Sequence, residues 1–217
     1  EVIEAKGPGP HPSIPTPLNL YGKTRFNSGG IDLSIQHERG ALRAAVDMLD
    51  TESLFAGPIV SGLLRTETPN HPVIGPSGLL RPIGHVSDAN NTDIDTAFSA
   101  ARAAQLAWDR LGGSKRGAIL DSMADTLEAN RARLIAILVR EAGKTYGDAI
   151  AEVREAADFC RYYAHLAVTQ FGDPDTLKGP VGETNTLSLA GRGVFVAISP
   201  WNFPLAIFTG QIAAALA

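Results

Sequence analysis

The loop SPWNFP at residues 199–204 contains the side chains best suited to chemistry. Asn202 carries an amide NH₂ group that can donate a hydrogen bond to an oxyanion, and loss of such a donor lowers a reaction rate by about 10²–10³. Pro200 and Pro204 stiffen the chain on either side of it. The same residues also fit a helix cap at Asn202 and a packing role for Trp201. Spacing alone leaves both interpretations open.

The segments on either side of this loop predict a strand and a helix. Residues 194–199 (VFVAIS) form a continuous apolar run, which is typical of a strand buried on both faces. Residues 205–217 predict an apolar helix with Pro204 in its first turn. In open α/β sheets, ligands bind at the carboxyl ends of strands, and a helix N-terminus favours an anion or an oxyanion. The loop therefore stands where a binding site is expected.

A single strand buried on both faces has unpaired backbone groups along both edges. Each buried unpaired group costs about 1–3 kcal/mol, and a βαβ unit needs a second parallel strand after its helix. Residues 205–217 are the last of the sequence and predict a helix, so the second strand is not among them. The sequence is therefore predicted to be a fragment of an α/β domain whose other strands lie outside these residues.

Residues 147–169 predict a long helix that carries the other candidate groups. Cys160 shares an apolar stripe with Val153, Ala157 and Ala164, which predicts an inert core thiol. Glu152 and Glu155 lie away from that stripe, where a solvated face and a cleft wall are both open interpretations. Lys144, just before the helix, is expected to lie near the negative end of the preceding helix dipole.

Composition excludes several classes of protein. The 217 residues include 23 acidic and 19 basic ones, and the net charge of −4 disfavours nucleic acid as a partner of this segment. One cysteine cannot form an internal disulfide, and the five histidines contain no His-x-x-x-His pair, so no metal site is predicted. No run spans a bilayer and the N-terminus has no signal-peptide core, so a cytoplasmic location is expected.

The front of the chain is irregular and its middle is helical. Ten of the 14 prolines lie at or before Pro82, and residues 7–17 predict an extended, polyproline-like connector. A short helix is predicted at about 38–50 and a hairpin or two edge strands at 73–86. Residues 1–72 are thus assigned to a linker or arm with one short helix, and residues 73–217 to an incomplete domain.

Three helices precede the long one or lead into it. An amphipathic helix is predicted at 93–110, with Thr92 and Asp95 as a capping box. A second helix is expected to be capped by Ser114, and a third to end at Gly143. Residues 184–190 (TNTLSLA) alternate and predict a half-exposed strand.

The sequence resembles the aldehyde dehydrogenase superfamily. The resemblance runs from Gly84-His85-Val86 through the helix with Trp108 and the segment EAGK at 141–144 to VFVAISPWNFPLAIF at 194–208. The PWNFP loop after an apolar run is its most specific part. Two further segments narrow the resemblance to one subfamily. They are the front of the chain (PHPSIPTPLNLYGKTRFNSGGIDLS) and the segment ADFCRYYAHLA. They resemble the bifunctional proline utilization A family, in which a proline dehydrogenase barrel is joined to an L-glutamate γ-semialdehyde dehydrogenase.

The resemblance implies a Rossmann-like NAD-binding domain and assigns roles to individual residues. Asn202 matches the asparagine that donates to the thiohemiacetal oxyanion, and Ile198, Ser199, Pro200 and Trp201 match the stretch that packs along NAD. Glu155 matches a glutamate that lines the semialdehyde pocket, with Glu152 close enough to leave the alignment open. FAD is expected only in the proline dehydrogenase part of such a protein.

The resemblance also implies that essential groups lie outside this sequence. The family's nucleophilic cysteine, its general-base glutamate and its ribose-binding lysine all follow the PWNFP helix, and Cys160 stands in the wrong place to replace the nucleophile. These residues alone are therefore expected to be inactive, with the rest of the same polypeptide, an aldehyde substrate and further copies of the protein as expected partners. The alternatives are a non-catalytic linker or oligomerisation module and a dehydrogenase of another semialdehyde.

Overall fold

The computed structural model describes residue 11 and residues 13–66, 70–76 and 82–217. Residues 7–10 and 12 of the connector predicted at 7–17 lie outside these residues. The described chain has a short 3₁₀ helix at Pro17–Asn19 and six α-helices. These are α1 (Gln36–Leu49), α2 (Asn91–Asp109), α3 (Gly112–Ala129), α4 (Arg131–Glu141), α5 (Tyr146–Gln170) and α6 (Ala206–Leu216). The helices predicted at 38–50 and 147–169 are confirmed as α1 and α5.

Helix α5 is the centre of the helical layer. It packs against α3, α4 and α6, while α1 packs against α4. Its apolar stripe faces inward because the apolar residues recur at helical spacing. Its buried residues join Leu120 and Ala124 of α3 and Ala213 of α6 in one cluster, which contains Ala157, Cys160 and Ala164. Leu42, Ile135, Leu138, Ala149, Ile150 and Val153 form a neighbouring cluster between α1, α4 and α5.

Small residues allow α3 and α5 to approach closely. A Cβ atom on Gly117 would lie 2.8 Å from the backbone oxygen of Ala164, and one on Gly113 would overlap the backbone oxygen of Ala167. Such distances exclude any larger residue unless the helices separate. The crossing therefore depends on these two glycines and on the alanines that face them.

Three small sheets of the described residues lie outside the helical layer. β1 (Leu54–Ala56), β5 (Gly84–Ser87) and β4 (Asn70–Val73) form one sheet in that order, with β1 parallel and β4 antiparallel to β5. β2 (Ile59–Val60) pairs with β3 (Leu63–Leu64), and β6 (Asp175–Leu177) pairs with β7 (Asn185–Leu187), both antiparallel. The predicted pairing across 73–86 is confirmed, and β7 confirms a strand within 184–190. The boundary assigned between residues 72 and 73 falls inside β4 and stays a prediction.

The strand predicted at 194–199 is not formed among the described residues. These residues have no strand assignment and no backbone partner in any of the three sheets of the described chain. The four large apolar side chains of this segment are exposed instead of buried, with Val196 66% and Ile198 82% exposed. The physical reason is that a strand needs a neighbour. Without one on either edge, the backbone N–H and C=O groups of this apolar run have no strand to form hydrogen bonds with.

Two helix starts also differ from the predictions. The capping box of α2 uses Asn90 and Asp93, whose side chain and backbone groups bond reciprocally at 2.9 and 3.1 Å. The box predicted at Thr92 and Asp95 stands two residues too late. Ser114 caps nothing, because α3 already begins at Gly112. No residue of helix α2 is buried. The helix is amphipathic in sequence, but no neighbouring element covers most of its apolar stripe.

Within the described ranges, no helix is long and apolar enough to cross a membrane. Over the same ranges, no three His, Cys, Asp or Glu side chains converge as metal ligands would.

Candidate active site

The PWNFP loop lies at the edge of an open cleft of about 630 Å³. Helix α4 and the turn after it form one wall, and the loop and the residue that follows it form another. The lining residues are mostly apolar: Ile74, Pro76, Leu134, Ile137, Leu138, Glu141, Ala142, Lys144, Trp201, Asn202, Pro204 and Leu205. A cleft of this size is in the range that holds small molecules and cofactors.

Asn202 lies at the mouth of this cleft between the two prolines. Its side chain is exposed, and the structure shows no hydrogen bond from its amide group to another described residue. Helix α6 begins at Ala206 and its N-cap position is Leu205, whose side chain cannot cap it. The helix-cap interpretation of Asn202 is therefore wrong, because the cap is supplied from elsewhere.

Glu152 supplies that cap. Its Oε1 accepts hydrogen bonds from the backbone N–H of Leu205 at 2.8 Å and of Ala206 at 3.3 Å. Glu152 is 2% exposed and reaches these amides from α5. The sequence favoured this helix N-terminus as a site for an anion or an oxyanion. The anion held there is the chain's own carboxylate, which satisfies the positive end of the α6 dipole.

Lys144 completes the arrangement. Its Nζ lies 2.6 Å from Oε2 of Glu152 and 4.4 Å from the centre of the Phe203 ring, so one ammonium group contacts both the cap and the loop. The Lys144 side chain is 13% exposed. Its backbone N–H donates to the carbonyl of Leu138, which helps to end α4. The backbone N–H of Lys144 thus makes the expected contact with the C-terminal end of α4, while the ammonium group of Lys144 faces Glu152.

Gly143 ends α4, as predicted. It has a φ of 66°, in the left-handed region that glycine adopts without strain. A Cβ atom at this position would lie 2.5 Å from Cγ of Pro76, a residue of the cleft wall. The turn at Gly143 therefore brings Lys144 under the loop and allows Pro76 to close against α4.

The residues assigned to NAD form one exposed stretch. Ile198 is 82% and Trp201 90% exposed, Pro200 is exposed and Ser199 is half-buried. The carbonyl of Ile198 accepts a hydrogen bond from Nε2 of Gln211 on α6 at 3.1 Å. Trp201 lines the cleft, whereas Ile198, Ser199 and Pro200 do not.

The two glutamates of α5 have different environments. Glu152 is buried beneath the loop with both oxygens engaged, whereas Glu155 is exposed and is not part of the cleft wall. The cap was missed in the sequence because its donors lie far along the chain. A carboxylate among the other charged residues of an amphipathic helix leaves no local signal of its partner.

Cys160 is a core thiol, as predicted. It is completely buried, and removal from water raises the pKa of the thiol to about 11. Because the thiolate is the nucleophilic form, such a group does not attack an aldehyde near neutral pH.

Comparison with known proteins shows which family the chain resembles in sequence and fold. The sequence profile of the Aldehyde dehydrogenase family matches residues 64–217. The bifunctional protein PutA of Escherichia coli (strain K12) is 40% identical over 213 residues, which are 96% of this chain and 15% of that protein. The chain thus spans about a seventh of the length of such relatives.

Two crystal structures show the same fold. Proline utilization A (PutA) from Bdellovibrio bacteriovorus, inactivated by N-propargylglycine, matches with a TM-score of 0.86 and 28% identity over 94% of this chain and 21% of its own. The 1-pyrroline-5-carboxylate dehydrogenase from Thermus with bound NAD matches with a TM-score of 0.81 and 28% identity over 88% of this chain and 37% of its own. The fold, the PWNFP loop and the match over residues 64–217 together show that this chain belongs to the aldehyde dehydrogenase family.

Proposed function

We propose that this chain contributes the oxyanion donor and part of the cofactor surface of an NAD-dependent L-glutamate γ-semialdehyde dehydrogenase. The observation that carries the proposal is Asn202, an unengaged amide at the mouth of a cleft, in a loop anchored from below. Family membership supports the reaction class. The names of the relatives, PutA and 1-pyrroline-5-carboxylate dehydrogenase, support the substrate class.

In this reaction a cysteine thiolate adds to the aldehyde carbon, and the carbonyl oxygen becomes the oxyanion of a thiohemiacetal. The NH₂ group of Asn202 donates a hydrogen bond to that oxyanion, which stabilises the transition state more than the neutral aldehyde. Hydride loss then gives a thioester, and water hydrolyses it to the acid and releases the thiolate. The thiolate is not that of Cys160, since Cys160 is buried beneath the helices with a raised pKa.

The exposed stretch before Asn202 fits a dinucleotide. The apolar side chains of Ile198 and Trp201 are exposed to solvent, and the ring of Pro200 restricts the backbone angle φ within the stretch. We assign Ile198, Ser199, Pro200 and Trp201 to contact with NAD, which supplies the hydride acceptor when bound. Glu155 is assigned to the semialdehyde, because the carboxylate of Glu152 is already engaged with Lys144 and the α6 amides.

A chimera tests the proposal. The segment of Escherichia coli PutA that matches this chain is replaced by residues 1–217, and NADH formation is followed with L-glutamate γ-semialdehyde. Turnover is expected, and Asn202→Ala should lower kcat by about 10²–10³. Asn19→Ala, in the exposed 3₁₀ helix, is the matched control and should leave kcat unchanged. Full activity of the Asn202→Ala chimera would contradict the assignment.

Two further measurements separate the alternatives. The 217-residue chain alone is expected to reduce no NAD, so turnover by it would show that the nucleophile lies within it. The chimera should show a higher kcat/KM for glutamate semialdehyde than for succinate semialdehyde. The reverse order would favour a dehydrogenase of another semialdehyde, and an inactive chimera would favour a non-catalytic module.

A further inference from the structure

The most deeply buried carboxylate of the described chain belongs to Glu152, and the proposed chemistry does not use it. Burial of a charge is unfavourable unless it is paired and hydrogen-bonded. Here one oxygen accepts from two consecutive backbone amides and the other faces the Lys144 ammonium. An ion pair at the surface would need neither the burial nor the two backbone amides. We therefore read the contacts of Glu152 as an anchor between α5, Lys144 and the start of α6.

The pieces held are those that bracket Asn202. The amides of Leu205 and Ala206 follow the loop directly, and Phe203, the residue after Asn202, lies over the Lys144 ammonium. Pro204 removes backbone freedom between these contacts. Helix α5 is held on either side of Glu152, because Ile150 and Val153 are buried in the cluster between α1, α4 and α5.

We propose that Glu152 and Lys144 are positioning residues for Asn202, which rests on the oxyanion role proposed for Asn202. They fix the backbone from residue 203 to 206, and so they hold the Asn202 amide at the cleft in the orientation needed by an oxyanion. A donor that must first be ordered contributes less to catalysis than one already in place. Neither residue touches substrate; both act through the loop.

Hydrogen exchange on the 217-residue chain tests the anchoring. Glu152→Ala should speed exchange of the Leu205 and Ala206 amides about tenfold or more, since it removes their charged acceptor. Glu152→Gln keeps an acceptor oxygen and should give an intermediate rate. Glu155→Gln, on the same helix but exposed, is the control and should change neither amide. Unchanged exchange in Glu152→Ala, or an equal rise throughout α3 and α5, would overturn the anchoring.

A double-mutant cycle in the chimera tests the effect on Asn202. Glu152→Gln should lower kcat by about tenfold with little change in KM for NAD when Asn202 is present, and should lower it no further in an Asn202→Ala background. Additive losses would overturn the positioning role, because a general loss of stability acts equally in both backgrounds. An Asn202→Ala chimera with full activity would instead contradict the proposed function. The hydrogen-exchange result would still test whether Glu152 anchors the loop.

Discussion

Lys144 Nζ lies 2.6 Å from Oε2 of Glu152, and it reaches this carboxylate from the turn between α4 and α5. The two partners are buried to different degrees: the Glu152 side chain is 1% exposed and that of Lys144 is 13% exposed. The lysine can therefore reach water if its partner is lost, whereas the glutamate cannot. This asymmetry predicts unequal effects when either partner is removed.

Lys144→Met should lower the free energy of unfolding by about 3–5 kcal/mol, because it leaves a buried carboxylate without its cation. Glu152→Gln should cost less, since the amide oxygen still accepts from Leu205 and Ala206 and the lysine can be hydrated. Urea unfolding measures both. Arg43→Met removes an exposed cation of the α1 pair Arg43–Asp47 and should cost no more than about 0.5 kcal/mol. Equal losses for the two buried variants would contradict the asymmetry.

Cys160 should make stability depend on alkaline pH. The folded-state pKa of about 11 is above the ordinary value of 9.0, so the folded chain retains a proton that the unfolded chain releases. The stabilisation is complete below about pH 9 and is lost as the pH rises to 11. Two pKa units correspond to about 3 kcal/mol at most. Cys160→Ala should therefore show a shallower fall in unfolding free energy between pH 9 and 11, and identical slopes would contradict the burial of the thiol.

The helices could be predicted from the sequence because each carries its own apolar periodicity and end signals. Helix α5 shows this best: its stripe from Ile150 to Ala167 is buried as predicted, although Glu152, outside the stripe, is buried too. Helix α2 shows the limit of the method, since a stripe predicts which face could be covered and not whether a neighbour covers it. Ile94 and Phe98 are each 46% exposed on that helix.

The segment 194–199 and the cap on α6 could not be predicted for a different reason. A strand is stabilised by its neighbours, so its composition does not determine whether a ladder forms. The cap depends on a side chain from a distant helix. The local sequence drew attention to Asn202 and the family resemblance gave it a role, whereas the support beneath it becomes visible only when α4, α5 and α6 are packed together.

Gly143→Ala should destabilise the chain and disturb the cleft. A non-glycine residue at a φ of 66° costs about 1–2 kcal/mol, and its Cβ would also lie 2.5 Å from Cγ of Pro76. The expected loss of unfolding free energy in urea is about 1–3 kcal/mol. Gly40→Ala is the matched control, because a Cβ atom there meets nothing within 4 Å inside α1. It should raise stability by about 0.5–1 kcal/mol, and a loss in both variants would contradict the conformational argument.

Asp158 should hold the N-terminal arm against the helices. Its two oxygens accept from the backbone N–H of Ser28 at 2.7 Å and from the Ser28 hydroxyl at 2.9 Å, and Ser28 is 2% exposed. Asp158→Ala leaves these buried donors unpaired, which costs about 1–3 kcal/mol and releases the arm locally. Trypsin should then cut after Arg25 several-fold faster, because cleavage needs an extended, accessible chain. Cleavage after the exposed Lys178, next to β6, is the internal control and should keep its rate. If both sites were cut faster to the same degree, the effect would be global and the arm would not depend on Asp158.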